Sequence, residues 1–257
     1  ERLKVELRLW KLLKKEVEIE EISIRNATFD TRDFIDGVVV NGHLGELYLE
    51  SHGVVFSPET ARINEFSVKN TDVSLTLENM EDTDTTTADP IYWKILLDEI
   101  DFENVGFALN MPQDSLFVRT MLPKTTLKDG VIDLKEASYY VKSFDMDNAE
   151  LAYGPKEELS LKKIGLQLDS IYYCGRDIRA NVEEFVFKER SGLELVSTEG
   201  RIASDSVLIQ IPKFTMKTTA SSLDLQTKIG WDVLEMKKTG VLSAKIKAEI
   251  GKSDVAK

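Results

Sequence analysis

The side chains that could do chemistry are few, and their spacing does not assemble a reaction centre. His43 and His52 lie nine residues apart beside Gly42 and Gly53, with no third His and no cysteine nearby. A zinc site needs three or four such donors at short intervals, so both histidines read as surface loop residues. Asp82, Asp84 and Thr86 echo the start of a calcium loop. Its sixth position is Thr87 where glycine makes the turn, and its twelfth is Trp93 where a glutamate must chelate. Cys174 is the only cysteine, so no internal disulfide can form; a lone Cys in an apolar strand behaves as a small hydrophobe. Asn26-Ala27-Thr28 fits a glycosylation sequon, which bears only on a chain secreted by a eukaryote. The G-x-S-x-G, P-loop, G-x-G-x-x-G and H-E-x-x-H signatures are absent. The sequence therefore predicts no catalytic residue, no metal site and no cofactor, and a protein that is not an enzyme.

What recurs instead is a structural unit. Ile100–Leu109 carries two spaced apolar residues, an Asn, a slip of one in the apolar phase, and two more apolar residues. The same shape appears at Ile22–Phe29, Phe66–Val73 and Phe144–Leu151, with a weaker copy at Leu166–Tyr173. The Asn or Ser positions are 26, 70, 104, 148 and 170, so the gaps are 44, 34, 44 and 22. A unit near 22 residues accounts for all but the 34-residue gap, which holds the acidic, Thr-rich run 81–89. That run reads as a loop insertion, bounded at 79–92. A fixed period in this range marks a stacked array whose units bury apolar surface only against their neighbours. The expectation is one elongated domain over residues 1–257.

The elements that carry the repeat are strands. Leu3, Val5, Leu7 and Leu9 alternate with Lys4, Glu6 and Arg8, and Leu242 to Ile250 alternates with Ser243, Lys245, Lys247 and Glu249. This is the period of a strand with one apolar and one wet face. Asp224, Gln226 and Lys228 are expected on the same wet face as Ser243, Lys245 and Lys247. Trp10–Lys15 predicts a short helical turn near the N-terminus, and Trp231–Met236 a second single turn. Asp36-Gly37, Asn41-Gly42, Lys128-Asp129-Gly130, Gly154-Pro155 and Ser191-Gly192 read as hairpin turns. At Asn26, Asn70, Asn104 and Asn148 the phase slip predicts a bulge or kink, because Asn tolerates backbone angles that most residues avoid. A period near 22 also suits a parallel β-helix, but unbroken alternation over 221–229 and 242–250 favours a curved antiparallel sheet. About 18–20 strands at ~4.8 Å would give a sheet on the order of 80–90 Å long.

Composition narrows the partners. The chain has 33 basic and 45 acidic residues, a net charge of −12, so a nucleic-acid phosphate backbone is repelled rather than bound. No apolar run approaches the ~18 residues of a membrane-spanning helix. The sequence opens at Glu1, inside what reads as a strand, and is expected to be a fragment whose targeting and anchoring segments lie elsewhere. A curved sheet with one apolar face must cover it by a second layer, by closure or by a ligand, and no long helix is available for the layer. The residues expected to line such a groove are Val68, Phe102, Phe107, Leu109, Phe144, Met146, Leu166, Leu168, Phe185, Phe187, Leu223, Leu225 and Ile229. Packing inside a closed sandwich is the competing expectation for each of them.

The strand Leu7-Arg8-Leu9 with Trp10-Lys11-Leu12-Leu13 leading into Val17–Phe29, the unit Ile100–Leu109, the stretch Lys128–Leu134 and Leu166–Tyr173 together resemble the AsmA-like family, most closely its TamB (translocation and assembly module) members. The resemblance covers most of the chain. It implies a Gram-negative envelope protein anchored in the inner membrane by an amino-terminal helix. In the periplasm it would form a long, mostly antiparallel β-sheet folded into a U-shaped hydrophobic groove. It implies phospholipid acyl chains as ligand, in support of outer-membrane biogenesis. A partner in outer-membrane β-barrel assembly would be reached through regions that this chain lacks. The alternative role is a scaffold that assists β-barrel assembly by β-augmentation.

Overall fold

The computed structural model describes residues 2–7, 16–31, 37–56, 59–78, 92–234 and 241–251. These form one sheet of 13 strands whose spatial order is their order in the chain. The strands are β1 (Arg2–Leu7), β2 (Glu16–Asp30), β3 (Val38–Phe56), β4 (Glu59–Leu77), β5 (Lys94–Met111), β6 (Leu116–Asp133) and β7 (Ser138–Tyr153). They continue as β8 (Leu159–Cys174), β9 (Asp177–Glu189), β10 (Glu194–Ser204), β11 (Leu208–Thr218), β12 (Ser222–Gly230) and β13 (Leu242–Glu249). A single helical turn, α1 (Trp231–Leu234), sits between the last two, as its sequence predicts. The turn expected at 10–15 lies outside the described residues. The fold is all-β and, with one exception, antiparallel.

The exception is β4 beside β5, which run parallel with Phe66 opposite Ile100 and Val68 opposite Phe102. Their register is an offset of 34 residues, the odd gap in the repeat. Parallel neighbours require a connection that returns the full strand length. The insertion expected at 79–92 lies in the connection between β4 and β5, and residues 79–91 of it lie outside the described residues.

The Asn positions behave as their phase slip predicts, and they do so together. Asn26, Asn70, Asn104 and Asn148 have φ between 50° and 54°, and Ser170 has φ 55°. The register sets Asn26 opposite Gly45, Gly45 opposite Asn70, Asn70 beside Asn104, Asn104 opposite Pro123 and Pro123 opposite Asn148. One line of left-handed or ladder-breaking residues thus crosses β2 to β7 perpendicular to the strands. Pro123 lies inside a central strand at the only kind of place that tolerates it, where no ladder N–H is needed. A Cβ on Gly45 would run into the carbonyl oxygens of Asn70 and Lys69.

Six residues along each strand a second line runs through Asn64, Asp98, Asp129 (φ 52°), Lys142 and Ser170. The two creases divide the sheet into a floor, 65–69, 99–103, 124–128 and 143–147 on β4 to β7, and two walls. Burial gives the direction of folding. Beside the first crease Thr71, Thr125, Ala149, Val68 and Val105 are all at most 9% exposed, whereas Glu103, Asn104, Lys124 and Asp147 on the other face are open to solvent. Side chains converge on the concave side of a bend and diverge on the convex side, so the apolar face is the inside of a U.

Three expectations need correction. Asn41-Gly42 and Lys128-Asp129-Gly130 are not hairpin turns; they lie within β3 and β6, and the second is a crease residue with its neighbours. His43 and His52 are exposed residues of β3, not of a loop. The sheet has 13 strands rather than 18–20 because kinks that look like strand ends are creases inside strands of up to 19 residues. At ~4.8 Å per strand it spans about 58 Å. Gly154-Pro155 and Ser191-Gly192 do turn the chain, between β7 and β8 and between β9 and β10.

Candidate functional site: an uncovered apolar trough

Each strand places its apolar residues so that the register joins them into rows across the sheet. One floor row passes from Ile22 through Leu49, Phe66, Ile100, Leu127, Phe144, Leu168 and Val182. It continues through Gly200 to Phe214, Leu225 and Ile246. The neighbouring row holds Leu47, Val68, Phe102, Thr125, Met146, Leu166 and Phe185. An extra residue in β9 between Val182 and Phe185 keeps both on the apolar face, since the partners shift by one between Gln167 and Leu168.

The thirteen expected lining residues fall on this face. Val68, Phe102, Phe144, Met146, Leu166 and Leu168 occupy the floor; Phe107 and Leu109 stand on the wall beyond Asn104, opposite Val73 and Leu75. Phe185 and Phe187 extend the face onto β9, with ring centroids 5.4 Å apart. Leu223, Leu225 and Ile229 on β12 face Ala248, Ile246 and Leu242 of β13, while Asp224, Gln226 and Lys228 face Lys247, Lys245 and Ser243. The two sets therefore lie on opposite faces, as their alternation requires.

Sequence reasoning missed residues that complete the surface. Phe66 meets Phe102 edge to face at 6.2 Å between centroids, and Leu97 packs beside the second crease at 7% exposure. Ile100 and Leu127 could have been found by extending the alternation of Phe102 and Thr125 by two residues. Tyr139 and Tyr173 required the register itself.

The decisive property is exposure. Of the thirteen residues only Val68 is buried; eleven are half-buried, and Phe107 is exposed at 37%. A residue inside a sandwich core would touch neighbours on all sides and be sealed from water. Here the element contacts join consecutive strands, with α1 against β12, and β1 and β13 remain the two unpaired edges. Neither a second layer nor closure covers the trough among the described residues.

The convex face is polar and stitched across strands. Lys128 Nζ lies 2.7 Å from Glu99, Lys142 Nζ 3.0 Å from Asp129, Lys69 Nζ 3.3 Å from Glu103, and Arg62 pairs with Asp98 at 3.0 Å. Such exposed pairs contribute little energy each; their effect is to assign the wet face. The Glu99 carboxylate raises the Lys128 ammonium above its ordinary pKa, first through the hydrogen bond and then through charge. Asp129 does the same to Lys142.

The residues first considered for chemistry are not gathered. His52 Nδ1 sits 2.7 Å from Asn64 Oδ1 and 3.2 Å from Glu50, and His43 stands on the same strand opposite Asp72. Cys174 Sγ is 3.6 Å from the Glu136 carbonyl oxygen. Among the described residues no three His, Cys, Asp or Glu side chains are placed to hold a metal ion, and no helix is long and apolar enough to cross a membrane. Comparison with family models and with curated proteins returns no match for this chain.

Proposed function

We propose that the trough is a lipid conduit that carries phospholipid acyl chains along its apolar floor, with head groups at the open mouth. The observation that carries this reading is an apolar face 12 strands wide that nothing among the described residues covers, while its reverse face is charged. Exposed apolar surface on this scale has to be met by something. A trough floor about 20 Å wide between creases suits flexible hydrocarbon better than a rigid ligand, because it offers shape and no fixed polar contacts. The resemblance to AsmA-like proteins supports the same reading and would place the trough in the periplasm, between an inner-membrane anchor and the outer membrane, in outer-membrane biogenesis. No covalent chemistry and no cofactor are required.

A second reading has one observation in its favour. All eight residues of β13 are exposed and its outer backbone edge pairs with no strand among the described residues, which is what a scaffold for β-augmentation of nascent barrel strands would offer.

Leu166→Asp separates a trough from a packed core. In a half-open trough the carboxylate keeps access to water, so the melting temperature should fall by roughly 2–8 °C, the effect of 1 or 2 kcal/mol at this size. Phospholipid recovered with the purified protein should fall several-fold, and photo-crosslinkers at Phe102 and Phe144 should capture lipid in the parent and much less in the variant. A lipid-free parent would overturn the conduit, and capture of strand peptides at β13 instead would favour the scaffold.

A further inference from the structure

Along one rim of the trough the innermost row runs Ala61, Ile95, Ile132, Tyr139, Tyr173 and Ile178. It is aliphatic except on β7 and β8, where two tyrosines stand directly opposite each other. Their ring centroids are 5.9 Å apart, and they are 41% and 44% exposed. At the other rim, at the far end of the same β7, Tyr153 occupies the innermost row between Val118 and Leu159 and is 48% exposed. One station along the trough therefore has phenols on both lips of its mouth. None of the three hydroxyls has a hydrogen-bond partner among the described residues, so each is open to water or to a ligand in the mouth.

On the reading of the trough as an acyl-chain conduit, we infer that Tyr139 and Tyr173 on one lip and Tyr153 on the other form a headgroup collar, in which each lip donates hydrogen bonds to the phosphate of its own glycerophospholipid and the tails lie on the floor. The chemistry selects the ligand. Phenol O–H groups at the boundary of an apolar surface are donors aimed where a lipid turns from hydrocarbon to polar atoms, and charged phosphate oxygens accept more strongly than neutral esters. Among the described residues the rows of the trough face hold no Lys or Arg. Of the cations beside this block, Arg179 is bound to Asp177 at 2.7 Å and lies over Tyr172, which pairs with Tyr140 on the convex face, Arg176 in the β8–β9 turn lies over Trp231, and Lys135 is exposed in the β6–β7 turn. With a net charge of −12 and no cation on the trough face, the collar suits a headgroup of zero net charge and disfavours polyanionic ones.

The test uses the purified chain with vesicles holding equal amounts of phosphatidylcholine and diacylglycerol with the same acyl chains, and counts bound lipids by mass spectrometry. The parent should enrich the phospholipid about threefold or more, the scale of one or more net hydrogen bonds. The triple variant Tyr139→Phe, Tyr153→Phe, Tyr173→Phe keeps every ring and should bind the same total lipid at the input ratio. The variant Tyr140→Phe, Tyr172→Phe, altered on the convex face of the same rim, should keep the parent's preference. A parent that takes both lipids at the input ratio, or a triple variant that keeps the preference, overturns the collar and leaves the conduit standing. A parent that takes neither lipid overturns the conduit and the collar with it.

Discussion

At Asn104 a single backbone angle decides which way an entire wall faces. Its φ of 52° is a conformation that Asn and Gly adopt at low cost, and its side-chain amide donates to Asn70 Oδ1 at 3.2 Å in the next strand. Asn104→Val should destabilise the chain by about 1–2 kcal/mol, the cost of a branched residue in this region. Asn104→Gly should cost less than half of that. Denaturant midpoints at unchanged slope would measure both, and equal losses would show that the amide contact matters and the angle does not. The four Asn residues of the first crease were legible in the sequence because the apolar phase slips at each of them. Gly45 and Pro123 on the same line were not, since neither shifts a pattern that can be read without the neighbouring strand.

The strands were legible as alternation, but their ends were not. Asp129-Gly130 has the composition of a hairpin turn and the backbone of a crease, and only the partners of β6 on both sides distinguish the two. True turns carry their own local chemistry. Between β10 and β11, Asp205 Oδ1 accepts the Val207 and Leu208 amides at 2.7 and 3.0 Å, and these hydrogen bonds lower its pKa. A carboxyl lowered in the folded state stabilises above its unfolded pKa near 4, and loses that contribution as pH falls through the lower folded value. The protection of the Leu208 amide, its exchange rate relative to the intrinsic rate at the same pH, should therefore fall below about pH 4. Asp205→Asn, which keeps an acceptor without the charge, should exchange faster at neutral pH and show no such step. A step that persists in the variant would place the titration elsewhere.

For the molecule as a whole, an open sheet folded along two creases has a length set by strand number and a cross-section set by strand length. The strands shorten from 19 residues at β3 and β4 to 11 at β10 and 8 at β13, so the trough narrows toward the end of the chain. Sidedness at this scale was readable in advance, because each strand alone separates its oily from its wet residues. Whether the oily side would be sealed was not, because a sandwich and a trough have the same alternation and differ only in which strands meet. Thirteen strands at ~4.8 Å give a long axis of about 58 Å before loops are added. A compact chain of this length, with a radius of gyration near ~18 Å, would have a diameter of about 46 Å. Small-angle scattering should give a largest dimension of roughly 60–70 Å on the strand-stacking estimate. Addition of a phospholipid should leave that dimension unchanged while lowering the fluorescence of a dye that reports exposed apolar surface, because a ligand in a preformed trough covers the face without repacking strands. A maximum near the compact value would mean that the walls close on each other in solution, and the apolar face would then be a core instead of a channel.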